Sequence, residues 1–242
     1  MEILRNNYNK LSNFYIKSHN KPDKKYSILP TLLNLSRPLD NKTLVDVGCG
    51  DGFFSKEFSK EAKEVIGIDS SKEQIKKAKN NASKNILFLQ EDMVTFNYPK
   101  TDLIISPFVI GYLKNKVDLE KLFTKFFNSL NPSGKLIGLI DFPKSNFHDN
   151  KKFGAIKKSK DLIMREGSKI LIELYCNNKK IVELNAIYHE KETIESCLKK
   201  AGFKKIRWEN PIISNEGLNL FGKDFWKEYL ENIDIAYFIA EK

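Results

Sequence analysis

Three glycines at alternate positions follow an apolar run in Leu44-Val45-Asp46-Val47-Gly48-Cys49-Gly50-Asp51-Gly52-Phe53-Phe54. Glycine inside a strand packs nothing and costs conformational entropy, so these three belong to a turn rather than to the strand before them. A turn of that composition lets a ligand approach the backbone closely. Two ligand chemistries compete for it. A dinucleotide needs Gly-x-Gly-x-x-Gly, with a small third residue that packs the helix on the sheet and a helix N-terminus that holds a pyrophosphate. Here a bulky Phe53 stands at the third position, and the Asp51 carboxylate would repel a pyrophosphate. Both features weigh against a nicotinamide or flavin dinucleotide. They suit a ligand that carries an ammonium, a ribose and a base and no phosphate.

The elements that position this turn alternate in type. Thr43–Val47, Glu64–Ile68, Ile86–Gln90, Asp102–Ser106 and Lys135–Ile140 read as strands; Phe53–Lys63, Lys72–Asn80 and Leu119–Leu130 read as helices. The strands are apolar on both faces, which is the pattern of a parallel sheet covered by helices. Lys169–Cys176 and Lys180–Tyr188 form a hairpin around Asn177-Asn178-Lys179. Glu190–Ala201 is a helix stopped by Gly202, and Lys204–Trp208 and Ile235–Ala240 return to the sheet as its last strands. Helices near Asn6–Phe14 and Tyr26–Leu35 precede the sheet. The expected architecture is α/β: a doubly wound, mostly parallel, seven-stranded Rossmann-like sheet. It carries an N-terminal helical cap (1–41), a cofactor-binding core (42–141), an inserted hairpin or lid after strand five (142–189) and a C-terminal completion of the sheet (190–242). The 242 residues make one domain.

The pattern Asp46-x-Gly48-x-Gly50-x-Gly52 resembles motif I of the class I S-adenosylmethionine-dependent methyltransferases. Three further segments fall in the order of that family. Asp69 closes Val65-Ile66-Gly67-Ile68-Asp69, 23 positions after Asp46, and Ser70 follows it; Asp92 and Met93 end Phe88-Leu89-Gln90-Glu91-Asp92-Met93; Thr101-Asp102-Leu103-Ile104-Ile105-Ser106 resembles the family's fourth strand. The resemblance implies S-adenosylmethionine as cofactor and S-adenosylhomocysteine as product. It implies Asp46, Gly48, Cys49, Gly50 and Gly52 around the amino-acid part, Asp69 and Ser70 at the ribose, and Asp92 and Met93 at the adenine. Ser106 and Phe108 lie beneath the methyl, and Tyr15 closes over the cofactor from the cap. Tyr8, Tyr112 and Phe147 are expected around the acceptor, with Phe142 and Phe153 in the lid.

Methyl transfer is an in-line displacement, and a base is needed only where the acceptor must lose a proton. His189, in Tyr188-His189-Glu190, is the best candidate for a catalytic base; the plainer reading, a capping or core histidine before the helix Glu190–Ala201, is preferred. His19 and His148 read as loop histidines, and no metal site is expected. In the C-terminal third, Arg207-Trp208, Ser214-Asn215-Glu216-Gly217 and Phe221-Gly222-Lys223-Asp224-Phe225-Trp226 resemble a bacterial group that includes the toxoflavin-biosynthesis N-methyltransferase. That resemblance implies N- or O-methylation of a small molecule.

Net charge is +10, but lysine outnumbers arginine 37 to 4 and is spread along the whole chain. Arginine is the better phosphate and guanine fork, so nucleic acid is an unlikely partner on this composition. An RNA methyltransferase and a non-catalytic cofactor-binding subunit are the competing readings. No apolar run reaches the ~20 residues of a membrane helix. Three scattered cysteines, Cys49, Cys176 and Cys197, give no disulfide framework. The expected compartment is the cytoplasm, with no membrane partner; the oligomeric state is left open.

Overall fold

The computed structural model describes residues 4, 6–80, 82–143 and 149–242. The chain opens with α1 (Tyr8–Tyr15), a 3-10 turn (Ile16–Asn20) and a π-helical turn (Lys24–Ile28) that runs into α2 (Leu29–Ser36). Then β1 (Thr43–Val47), α3 (Phe53–Phe58), β2 (Glu64–Asp69), α4 (Lys72–Ala78), β3 (Ile86–Gln90), β4 (Thr101–Pro107), α5 (Lys116–Ser129) and β5 (Leu130–Asp141) alternate. Three strands follow in a row, β6 (Ala155–Lys158), β7 (Lys169–Cys176) and β8 (Lys179–Ile187), then α6 (Lys191–Ala201), β9 (Lys205–Glu209), α7 (Asn215–Glu231) and β10 (Ile235–Glu241).

Seven strands form one sheet in the order β3-β2-β1-β4-β5-β10-β9. All neighbours from β3 to β5 are parallel, and β10 runs antiparallel between β5 and β9. The alternation of side chains along each strand feeds two cores. On one face Val45, Ile104, Leu136, Ile140, Phe238 and Ala240 pack under α5 and α6. On the other, Leu44, Leu103, Ile105, Ile137, Tyr237 and Ile239 pack under α2 and α3. The inner strands are therefore mostly apolar because both faces are covered, with Asp46 and Ser106 as buried polar exceptions.

The chain between β5 and α6 departs from the expectation. Residues 142–168 were read as irregular, yet Ala155–Lys158 pairs with β7 and turns the hairpin into a three-stranded antiparallel sheet. Its residues, Ala-Ile-Lys-Lys, sit in a charged run and carry no period-two signal of their own. The hairpin turn is as expected in kind: Asn177 and Asn178 both take positive φ, 49° and 59°, the conformation a tight two-residue connection requires. Phe153 is no lid residue. It is buried with Tyr26, Trp226 and Tyr229, under α7, a helix the sequence reading did not assign. Phe142 stacks on Tyr188 at 5.2 Å. Phe147 and His148 lie outside the described residues. Among the described residues no helix is long and apolar enough to cross a membrane.

The helix after the glycine turn is shorter than expected, ending at Phe58 rather than Lys63. Its approach to the sheet depends on Gly52, which has φ +81° and faces Phe88; a Cβ there would lie 2.6 Å from the Phe88 ring. Gly52→Ala thus adds a left-handed alanine, costing roughly 1–2 kcal/mol, and a clash against a buried ring, costing roughly 1–3 kcal/mol. Urea unfolding is expected to show a loss in that range, and an unchanged midpoint would contradict the packing role.

Candidate active site

The carboxyl ends of β1, β2 and β4 open on a cavity, the place where a doubly wound sheet binds ligands. Asp69, the last residue of β2, organises it. Its Oδ2 accepts from the Gly50 N–H at 3.0 Å and its Oδ1 from the Ser71 N–H at 2.8 Å. The carboxylate thereby fixes the glycine turn and the start of α4 to one strand end, and both oxygens keep lone pairs for a ligand. Burial raises the Asp69 carboxyl above its ordinary value, while those two N–H donors oppose the shift. Gly50, at φ +57°, would point a Cβ at open space, with only the Gln74 amide 3.8 Å away. Gln74 is buried, lines the cavity, and has no partner for either its Nε2 or its Oε1. An unsatisfied buried amide is costly, so it is a recognition group.

Along the same wall Asp92 accepts from the Val94 N–H at 2.9 Å, and the Met93 carbonyl accepts from the Tyr98 hydroxyl at 2.8 Å. After β4, Phe108 takes φ +60°, a left-handed conformation rare for an aromatic residue. Its N–H donates to the Leu139 carbonyl at 2.7 Å, which holds the bend against β5. Strain of this kind is kept where the surrounding structure over-determines it.

The N-terminal cap forms the roof. Tyr8 and Tyr112 share a hydroxyl–hydroxyl bond of 2.5 Å, and Tyr15 meets Tyr8 edge-on at 5.4 Å. Burial raises the phenols of Tyr8 and Tyr15 well above the ordinary range and pushes Tyr112 up to about 12. All three hydroxyls stay protonated at neutral pH. α1 is strapped to two sides near its N-terminus. Asn9 Oδ1 accepts from Ser71 Oγ at 2.8 Å and from the Glu73 N–H at 3.2 Å, on the α4 side. Asn6 exchanges two bonds with the backbone of Asn185 in β8, at 3.0 and 2.9 Å.

Of the expected cofactor residues, Tyr15, Gly48, Cys49, Gly50, Asp69, Ser70, Asp92, Met93 and Phe108 line this cavity, as do Tyr8 and Tyr112. Asp46, Gly52 and Ser106 stand behind its wall. Asp46 is fully buried; its Oδ2 takes the Ser55 hydroxyl at 2.5 Å, its Oδ1 has no partner, and burial pushes its carboxyl up to about 7. Ser106 is also buried, with Oγ unpartnered, and Gly52 spends its bareness on Phe88.

His189 is not at the site. It is buried where β8 meets α6; Nδ1 meets Glu166 Oε1 at 2.5 Å and Nε2 meets the Leu113 carbonyl at 2.9 Å. With both nitrogens engaged it ties the second sheet to the loop that carries Tyr112, and it lines neither cavity described here.

Two residues of the site escaped the sequence reading. His19, expected in a loop, donates or accepts at Nε2 with both Asp51 oxygens, at 2.9 and 2.7 Å, and stacks on Phe53 at 4.3 Å. Burial lowers the imidazole, so the neutral ring donates Nε2–H and leaves Nδ1 as a buried acceptor without a partner. Burial works to raise Asp51, but the His19 bond and nearby cations carry it below its ordinary value. Lys24, from the π-helical turn, is the second; its signal was absent because one lysine among 37 has no distinguishing neighbours in sequence.

These groups fit a sulfonium nucleoside with an amino-acid tail. Asp69 and the orphaned Gln74 amide face one another across a bare Gly50, suited to paired hydroxyls. The cavity is lined by Asp51, Asp69, Glu91 and Asp92, which suits a cationic ligand and repels a diphosphate. A family model described as a methyltransferase domain matches residues 38–212.

The chain belongs to the methyltransferase-domain family. It is an S-adenosylmethionine-dependent methyltransferase of class I. It is 26% identical over 194 residues to carboxy-S-adenosyl-L-methionine synthase of Nautilia profundicola, covering 71% of this chain and 75% of that one. It is 33% identical to phosphoethanolamine N-methyltransferase 3 of Arabidopsis thaliana, over 51% of this chain and 26% of the plant enzyme. The crystal structure of an S-adenosylmethionine-dependent methyltransferase from Mesorhizobium loti superposes with a TM-score of 0.64 at 16% identity, covering 93% of this chain and all of that one. At that identity the likeness carries the methyltransferase fold alone.

Two measurements follow from this geometry. Asp69→Asn removes the charge from the cavity's strand-end acceptor and, if that carboxylate takes the ligand's hydroxyls, is expected to weaken S-adenosylhomocysteine binding by about 1.5–3 kcal/mol. An unchanged calorimetric Kd in a folded variant would remove Asp69 from the cofactor site. Asp46 has a folded-state value of about 7 against an ordinary 3.8. The folded methyltransferase keeps a proton that the unfolded chain gives up, so stability falls as pH rises between those values. Asp46→Asn is expected to flatten the melting temperature of the nucleoside-free protein over that window; an identical slope in both proteins would refute the buried-acid assignment.

Proposed function

We propose that this methyltransferase transfers a methyl group to a nitrogen or oxygen of a small-molecule acceptor. The observation that carries the reading is a second cavity, behind the first, which shares Tyr8, Tyr15, Lys24, Phe108 and Tyr112 with it. Beyond that partition it is floored by Ile172, Leu174 and Leu184 of the second sheet and by Ile28 and Ile235. Enclosure between the cap, the seven-stranded sheet and the second sheet favours a molecule that can be swallowed whole over a polymer lying on a surface.

In this reading Asp69 and Gln74 hold the ribose hydroxyls, Asp92 and Met93 the adenine, and the backbone of Gly48 and Gly50 with Tyr15 the amino-acid part. S-adenosylmethionine supplies a methyl group already activated by a positively charged sulfur. The chain therefore has to orient and dehydrate rather than activate. Phe108, Tyr8, Tyr15 and Tyr112 do this between the two cavities, and the protonated hydroxyls of the three tyrosines can donate to an acceptor without competing as nucleophiles.

Two relatives, a carboxy-S-adenosyl-L-methionine synthase and a phosphoethanolamine N-methyltransferase, bear names that concern small molecules and support the same class. The C-terminal residues similar to the toxoflavin-biosynthesis group support a shared scaffold rather than a shared acceptor: Trp208 packs on Phe238, and Phe221, Phe225 and Trp226 pack on one another. We read the chain as a single catalytic unit, and the three free thiols suit a reducing cytoplasm.

Incubating the enzyme with methyl-labelled cofactor and size-fractionated cell extract tests the class. Label is expected in the low-mass fraction. Label recovered in RNA or protein, with none in small molecules, would overturn the reading.

A further inference from the structure

The one cation that lines both cavities is Lys24. Its Nζ has no carboxylate within 4.0 Å among the described residues. It reaches only the Ser18 hydroxyl, at 3.5 Å, and sits among the rings of Tyr15, Phe53 and Phe54, with centroids at 5.0, 4.8 and 5.3 Å. The other lysines of the second cavity are neutralised. Lys21 pairs with Asp23 at 3.3 Å, and Lys157 with Asp141 and Asp234 at 2.9 Å each. A buried ammonium without a counter-ion is costly, so the position calls for an anion brought by a ligand.

Two ligands could bring it: the amino-acid tail of the nucleoside, or the acceptor. The distribution of charge favours the second. The first cavity presents Asp51, Asp69, Glu91 and Asp92 to its ligand, with Asp46 behind them. The second presents tyrosines, Ser18, apolar side chains, the Lys21–Asp23 pair and Lys157 held between Asp141 and Asp234, which leaves one excess carboxylate against the four of the first. An anionic oxygen approaching Lys24 from the second cavity meets less repulsion than one approaching along the glycine turn.

Resting on the second cavity as the acceptor's place, we infer that the acceptor is a compact apolar molecule bearing an anionic oxygen, held against the Lys24 ammonium. Lys24 is then a specificity residue of the acceptor site. It comes from the turn that follows the roof helix in the cap and lies 5.0 Å from the Tyr15 ring centroid, so acceptor charge is read beside the roof. Burial brings the free amine down to about 7, with Asp51 opposing that shift. An anion beside it favours the charged form, and binding near pH 8 takes up a proton.

The probe is benzoate, with benzamide as its neutral isostere, titrated calorimetrically into enzyme saturated with S-adenosylhomocysteine. Benzoate is expected to bind wild type at least tenfold more tightly than benzamide, and to lose that advantage in Lys24→Met while Lys24→Arg retains most of it. Titrations at pH 8 in buffers of different ionisation enthalpy are expected to report proton uptake that vanishes in Lys24→Met. Leu174→Phe, which fills only the second cavity, is expected to abolish benzoate binding and leave S-adenosylhomocysteine affinity within twofold. Equal affinity for benzoate and benzamide overturns the inference. So does a Lys24→Met variant that loses S-adenosylhomocysteine tenfold yet keeps 5′-methylthioadenosine, which lacks the carboxylate, because the nucleoside tail is then the anion. Failure of wild type to bind S-adenosylhomocysteine at all would instead strike the cofactor assignment beneath both readings.

Discussion

One carboxylate holds the site together. Asp69 takes a backbone N–H from the glycine turn and another from the start of α4, so the ends of two crossover connections hang on a single side chain. Charged acceptors of backbone N–H groups form the stronger class of hydrogen bond. The same residue lines the cavity, so the side chain that shapes the turn is also presented to whatever fills it. The turn can be bare, with Gly50 exposing backbone, because Asp69 supplies from the neighbouring strand the rigidity that glycine lacks.

The parts of the molecule governed by local periodicity were legible from the chain. β1, β3 and β7 begin and end where the apolar runs do, although of the three only β1 lies inside the large sheet: β3 is an edge strand of it, with Leu87 exposed, and β7 belongs to the antiparallel second sheet. Gly202 ends α6 in the left-handed conformation, at φ +111°, as a helix-stopping glycine should. The cavity wall from Gly48 to Met93 was legible through the resemblance to the methyltransferase motifs, whose residues stand at the carboxyl ends of successive strands. Asp46 and Ser106 failed the same logic by one pleat. They lie inside strands, where the side-chain direction alternates, and theirs point into the packed layer.

What the chain did not disclose depends on distant partners. His189, the best candidate for a base, is a tie, since Glu166 and Leu113 take both its nitrogens. His19 looked like a loop residue and belongs to the glycine turn through Asp51, 32 positions away. β6 exists because β7 offers it an edge, and Lys24 gains its character from burial beneath the rings of Tyr15, Phe53 and Phe54. Sequence spacing carries none of these relations, because each is created by tertiary contact.

The double fastening of α1 has a mechanical meaning. Asn9 pins the helix to the α4 side and Asn6 pins it to the second sheet, while Tyr8 bolts it to Tyr112 between them. Both chambers thus lie beneath one shutter. A roof shared in this way joins the two chambers: any loosening of the short helix that uncovers one uncovers the other.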